Sequence, residues 1–221
     1  VAAGADFVCA LTGATTLRCW GSNNHGQLAE SGVVRRVVPA SGGAFTGARR
    51  LRLVGTTACA LMAQGPAHCW GATFAGRAAI AFDDGVRGSV LPHPRRALGD
   101  AVDIDAQDDI ACALGPDASL TCHQSRFVNG RTGIRTLFER AHGALPAQGV
   151  SLVVTPLHLC VALADGTVQC RERMSELVPL TAMTPVAGLT HVTRLVRAGE
   201  AICALVDGGN PQCWGDDTDW G

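Results

Sequence analysis

The sequence contains no tyrosine and no lysine; all 18 of its basic residues are arginine. A lysine Schiff base, a P-loop lysine and a tyrosine general acid are therefore excluded from any chemistry it performs. No apolar run is long enough to span a bilayer. The most apolar stretch, Val150 to Ala164, is broken by Ser151, Thr155, Pro156 and His158, so no transmembrane segment is expected. An opening Met, a charged-plus-apolar leader and a lipidation motif are also missing, and the chain reads as a processed mature form or an excised piece. Charge of one sign is lacking too. The 19 acidic residues leave a net charge of -1, which offers no basic field to a phosphate backbone, and no nucleic-acid partner is expected. Catalytic signatures are equally scarce: there is no Gly-x-Ser-x-Gly, His-Glu-x-x-His, Walker or Gly-x-Gly-x-x-Gly pattern, and no cofactor is implied. The His residues are scattered at 25, 68, 93, 123, 142, 158 and 191. Asp216, Asp217 and Asp219 lack the rest of an oxygen cage and read as a polar loop.

What remains is a globular composition, 47% hydrophobic and 17% charged over 221 residues, sized for one domain with its own core. Cysteine is plentiful. The residues Cys9 and Cys19, Cys59 and Cys69, Cys112 and Cys122, Cys160 and Cys170, and Cys203 and Cys213 form consecutive pairs of identical spacing that use up the whole supply. The first cysteines recur about every 40–50 residues, the period of a propeller blade or a two-helix solenoid unit. The residues between the cysteines favour the blade. Cys160-Val-Ala-Leu-Ala-Asp-Gly-Thr-Val-Gln-Cys170 centres an Asp-Gly turn between short apolar runs. A three-residue loop at Ala164 to Gly166 places Cys160 across from Cys170, with Gly166 left-handed. The other pairs enclose Gly13, Gly65, Pro116-Asp117 and Gly208-Gly209. Opposed residues in a non-hydrogen-bonded pair lie about 4.5 Å apart at Cα, within reach of a disulfide. Metal binding and free thiols are the alternatives. The short Cys-x2–4-Cys hooks of structural zinc are absent, so disulfides are favoured, and five of them imply an extracellular, periplasmic or cell-surface setting.

Four repeats read Cys-Ala-Leu at the first cysteine, and three read Cys-Trp-Gly at the second. Gly4, Gly55 and Gly199 lie just ahead of the hairpins, and Leu51 to Val54, Val102 to Asp105 and Val192 to Val196 read as strands. Repeat one continues Trp20-Gly-Ser-Asn-Asn-His-Gly-Gln-Leu28. This pattern resembles the repeats of the regulator of chromosome condensation family, in the cysteine-bearing form of secreted bacterial proteins. The resemblance implies an all-β fold, a β-propeller with four-stranded blades, commonly seven. Five repeats are visible, approximately 1–50, 51–103, 104–151, 152–194 and an incomplete 195–221, within a single propeller domain. A fragment of a longer ring is favoured over a small five-bladed one. Gly26 to Arg50 and Gly76 to Asp100 read as long connections, the second carrying Pro92-His-Pro-Arg-Arg96 as an insertion. The segment Ile134 to Ala147 reads as a short helix. Trp20, Trp70 and Trp214 share one repeat position and are expected between blades.

Function is read from the variable loop after Cys-Trp-Gly. Asn24, His25, Phe74, Phe127, Asp219 and Trp220 occupy it in different repeats, and aromatics gathered on one propeller face suit a contact patch. The reading favoured is a non-catalytic module that binds a protein or a glycan. The alternatives are a secreted propeller hydrolase or lyase with a central-channel site, and a guanine-nucleotide exchange factor-like regulator.

Overall fold

The computed structural model describes residues 1–13, 16–44, 47–71, 89–94, 100–107, 110–130, 133–172 and 183–215. All regular structure among them is strand, arranged in five antiparallel sheets. The chain divides into two compact units, Val1–Ala101 and Val102–Gly221.

The first unit holds two sheets. One comprises β1 (Ala2–Ala3), β2 (Phe7–Thr12), β3 (Thr16–Ser22) and β4 (Arg35–Ala44). The other comprises β5 (Ala48–Val54), β6 (Thr57–Met62), β7 (His68–Gly71) and β8 (Ser89–Pro94). The second unit holds three. Its first is β9 (Asp103–Gln107), β10 (Ile110–Leu114), β11 (Ser119–Gly130) and β12 (Gly133–Ala144). Next come β13 (Gly149–Val154), β14 (His158–Leu163), β15 (Val168–Glu172) and β16 (Thr184–Pro185). The last is β17 (Val192–Ala198), β18 (Ala201–Val206) and β19 (Gln212–Trp214). Strand order within every sheet follows the chain, so each is an up-and-down meander, the topology of a propeller blade.

Local chemistry sets the hairpins. In the fourth sheet the Asp165 carboxylate accepts from the Thr167 amide at 2.9 Å and from its hydroxyl at 2.7 Å. Gly166 sits at φ 82, where a side chain would be strained. Leu163 and Thr167 close the three-residue loop, and Cys160 then falls directly across from Cys170. The same register places all five cysteine pairs face to face.

The core lies between successive sheets rather than inside any one of them. In the second unit, Leu152, Val154, Leu159, Val161 and Leu163 pack toward Ile110, Leu114 and Leu120. Their alternates Val153, Cys160 and Ala162 pack toward Leu195, Ile202 and Ala204. Both faces of β14 are therefore buried, and its sequence is continuously apolar rather than alternating. In the first unit, Phe7 and Leu17 meet Leu51, Ala58 and Trp70.

Three expectations need correction. Ile134 to Ala147 is not helical: most of it lies in β12, paired residue by residue with β11. Leu137, Ala141 and Leu145 are spaced by four, which suits one helix face and one strand face equally, and the long ladder to β11 decided between them. Phe127 does not sit in a loop; it lies within β11 opposite Thr136. Gly26 to Arg50 is not all connection, because β4 occupies Arg35–Ala44. Pro92 and Pro94 lie in β8, an edge strand, the position in a sheet that tolerates proline.

Candidate functional site

All ten cysteines are paired as five disulfides, Cys9–Cys19, Cys59–Cys69, Cys112–Cys122, Cys160–Cys170 and Cys203–Cys213, with Cα atoms 4.0–4.2 Å apart. Three of them lie in the apolar layers between sheets. Each closes a loop for which chain entropy gives about 2.5–3 kcal/mol. The blades are stapled where they pack, and their loops are carried on a stiff frame.

The loop following Cys19-Trp-Gly is built inward from its polar side chains. Asn23 is buried; its amide donates to the carbonyls of Glu30 at 2.8 Å and Val33 at 2.7 Å, and its Oδ1 accepts from the Leu28 amide at 2.8 Å. Gln27 is fully buried, its Oε1 accepting from the His25 amide at 2.8 Å. The indole N–H of buried Trp70 donates to the Gln27 carbonyl at 2.9 Å, which ties the loop to the next sheet. Gly71 is required there. Its φ is +95, and a Cβ would lie 2.5 Å from the Thr56 carbonyl oxygen and 3.3 Å from Gln27. Gly21 and Gly215, at the same motif position, share positive φ and close backbone neighbours. Trp70 is thus the inter-sheet residue expected; Trp214 packs partly buried against the last core layer, and Trp20 is half-buried.

Asn24 and His25 project from this fixed loop as exposed residues. Beside them, the Asn23 backbone N–H donates to the Val34 carbonyl at 2.7 Å, and β4 leaves from that point. Its register to β3 jumps from Gly21↔Arg36 to Cys19↔Ala40, so Val37, Val38 and Pro39 bulge opposite Trp20. Val34, Val37 and Val38 are 70%, 82% and 63% exposed. Arg36 pairs with Glu30 through two hydrogen bonds, and this bonding holds the Glu30 carboxyl below its ordinary range and raises Arg36. The result is an apolar strip with a polar, hydrogen-bonding tip. The valines were missed in sequence because Val33-Val-Arg-Arg-Val-Val38 runs in doublets that mark no exposed face; the bulge turns Val37 and Val38 outward.

Phe74, Asp219 and Trp220 lie outside the described residues, as do Asp216 and Asp217. Of Phe127 the backbone alone is described. Among the described residues no group of three His, Cys, Asp or Glu side chains is placed to hold a metal, and no helix is long and apolar enough to cross a membrane.

The second unit joins its sheets by a different device. Asp103 and Asp105 of β9 accept from the Leu152 amide at 2.9 Å and the Val154 amide at 2.8 Å. Ser151 Oγ accepts from the Leu195 amide at 3.0 Å. The Arg197 guanidinium donates to Gln107 Oε1 at 2.5 Å and to the Val154 carbonyl at 3.0 Å. These contacts run between the first strands of successive sheets, two of which lack Trp-Gly after their second cysteines, Cys122 and Cys170. Alternating aspartates in a strand read as solvent-facing, so Val102-Asp-Ile-Asp105 gave no hint of burial.

Residues 1–27 match the family described as Regulator of chromosome condensation (RCC1) repeat. No curated protein matches the chain. Solved structures share its fold. Yeast RCC1 (Prp20), in a crystal with Kap60, is 14% identical at a TM-score of 0.66, over 95% of this chain and 54% of that one. Human WBSCR16 is 16% identical at 0.62, over 96% and 60%. Prp20p from Saccharomyces cerevisiae, in a study of its binding to Gsp1p and histones, is 17% identical at 0.62, over 95% and 56%. This chain spans little more than half the length of these proteins. It carries a repeat of the regulator of chromosome condensation type, and its five sheets are blades of a β-propeller.

Proposed function

We propose that this repeat propeller is a non-catalytic interaction module of an oxidising compartment, outside the cell, at its surface or in the periplasm. It binds a protein or glycan through the loop that carries Asn24 and His25 and the adjoining strip of Val34, Val37 and Val38. One observation carries the reading. Three of the five large exposed apolar residues among those described fall within five consecutive positions, Val37 and Val38 on β4 and Val34 just ahead of it, beside a tip held in place by buried Asn23 and Gln27. Exposed apolar groups collected beside fixed polar ones are characteristic of interaction sites. Phe74, Asp219 and Trp220 are proposed as the counterparts of this tip in their own repeats. Protein binding by structural relatives such as the Prp20 crystallised with Kap60 is consistent with it. Five disulfides argue against an intracellular exchange factor.

The test places a photo-crosslinking residue at His25, at Val37 and at exposed Thr190, and exposes the chain to surface and secreted proteins and glycans. A discrete adduct from positions 25 and 37, absent from 190 and lost in V34D/V38D, supports the reading. The same adducts from all three positions, or none from 25 and 37, refute it.

A further inference from the structure

The third sheet contains a ribbon that outgrows its own blade. Strand β10 pairs with β11 only from Leu114↔Leu120 to Ile110↔Gln124. Strands β11 and β12 continue pairing with each other from Ser125↔Phe138 to Gly130↔Gly133. Six residue pairs thus extend past the inner strands, about 20 Å of chain at strand rise. Among the described residues no third strand lies beside them. A two-stranded ribbon is at best marginally stable in water, so an extension of this length gains from a surface to lie on.

Composition indicates which surface. Ser125 to Phe138 carries Arg126, Arg131 and Arg135 and not one Asp or Glu, in a chain whose net charge is -1. The same stretch holds Phe127, Val128, Ile134, Leu137 and Phe138, far more apolar than a solvated hairpin needs. The register alternates Ser125↔Phe138 and Phe127↔Thr136 with Arg126↔Leu137 and Val128↔Arg135. One face of the ribbon therefore carries aromatic positions, and the other interleaves arginine with aliphatic positions. We infer that this ribbon is a docking arm for an acidic protein surface with an apolar groove. Charge complementarity orients the approach and the apolar positions supply the affinity. Three cations are too few to track a nucleic-acid backbone. The arm belongs to the second unit and does not depend on the first-blade surface proposed above.

The test uses the full chain with an immobilised glutamate–tyrosine copolymer as probe, and polyglutamate and heparin as comparators. The expected result is tightest binding to the copolymer, weakened by salt, falling roughly tenfold or more in R126E/R135E and retained in V37D/V38D. Hydrogen exchange on the unaltered chain is the second measurement, expected to slow within 125–138 when the copolymer is added. Binding unchanged by the arginine reversals, preference for heparin, or exchange unaltered in 125–138 overturns the inference. So does sedimentation in which the unaltered chain is a dimer and R126E/R135E a monomer, which would assign the arm to a second copy.

Discussion

Asp103 and Asp105 hold β13 to β9 through two carboxylate–amide bonds, and removing them one at a time measures that attachment. Asp103 is fully buried, and Leu152, whose amide it accepts at 2.9 Å, is equally buried. Asp103→Ala deletes the acceptor and strands a backbone donor away from water. A hydrogen bond to a charged group contributes about 1.5–3 kcal/mol, and an orphaned buried donor costs about 1–3 kcal/mol. These overlap rather than add, because both describe the same lost partner, so the expected loss is about 2–3 kcal/mol. Asp103→Asn keeps a carbonyl oxygen in nearly the same place and is expected to lose less than about 1.5 kcal/mol, the difference reflecting charge assistance. The assay is urea unfolding with disulfides intact, followed by tryptophan fluorescence with near-UV circular dichroism as a check. At constant slope the alanine variant shifts to lower urea, and its melting temperature falls by roughly 5–10 °C. An alanine variant within about 0.5 kcal/mol of the parent would show that the apolar layer alone joins these sheets, and the reasoning about buried aspartates would fail.

Three further outcomes are expected. Gly71→Ala puts a Cβ 2.5 Å from the Thr56 carbonyl oxygen at φ +95 and should cost more than about 2 kcal/mol, whereas Gly208→Ala, with nothing within 4 Å, should cost about 1 kcal/mol from backbone strain alone; thermal melts compare them. Under limiting reductant, Cys203–Cys213 should open first, since Cys213 is exposed while the other four disulfides are buried; alkylation and peptide mass spectrometry identify the first thiols, and another first pair would refute the accessibility argument. Hydrogen bonds from the Thr167 hydroxyl and amide hold the Asp165 carboxyl below its ordinary 3.8; a depressed folded value means stability fully present above the unfolded pKa and lost as pH falls through the folded one, so Thr167→Val should flatten the acid limb of the stability profile below pH 3.8.

The hairpins were legible in sequence because their determinants are local. Asp165, Gly166 and two cysteines ten residues apart specify a turn, a register and a staple with no help from the rest of the chain. The Trp-Gly pair was legible as a repeated position, while the reason for its glycine, a backbone pressed against Thr56 and Gln27, was not. Asn24 and His25 were found as the exposed tip, yet the valines beside them were passed over. The helix expected at Ile134 to Ala147 failed because a spacing of four fits both periodicities.

From its own residues the chain determined five sulfur-closed β-hairpins, all formed between neighbours in sequence. Tertiary structure alone decided that Asp103, Asp105 and Ser151 face inward, that Val37 and Val38 face water, and that β11 and β12 run beyond their blade. Whether a strand's face is buried depends on what packs against it, and here that partner belongs to another sheet about 50 residues away, a separation no local pattern encodes.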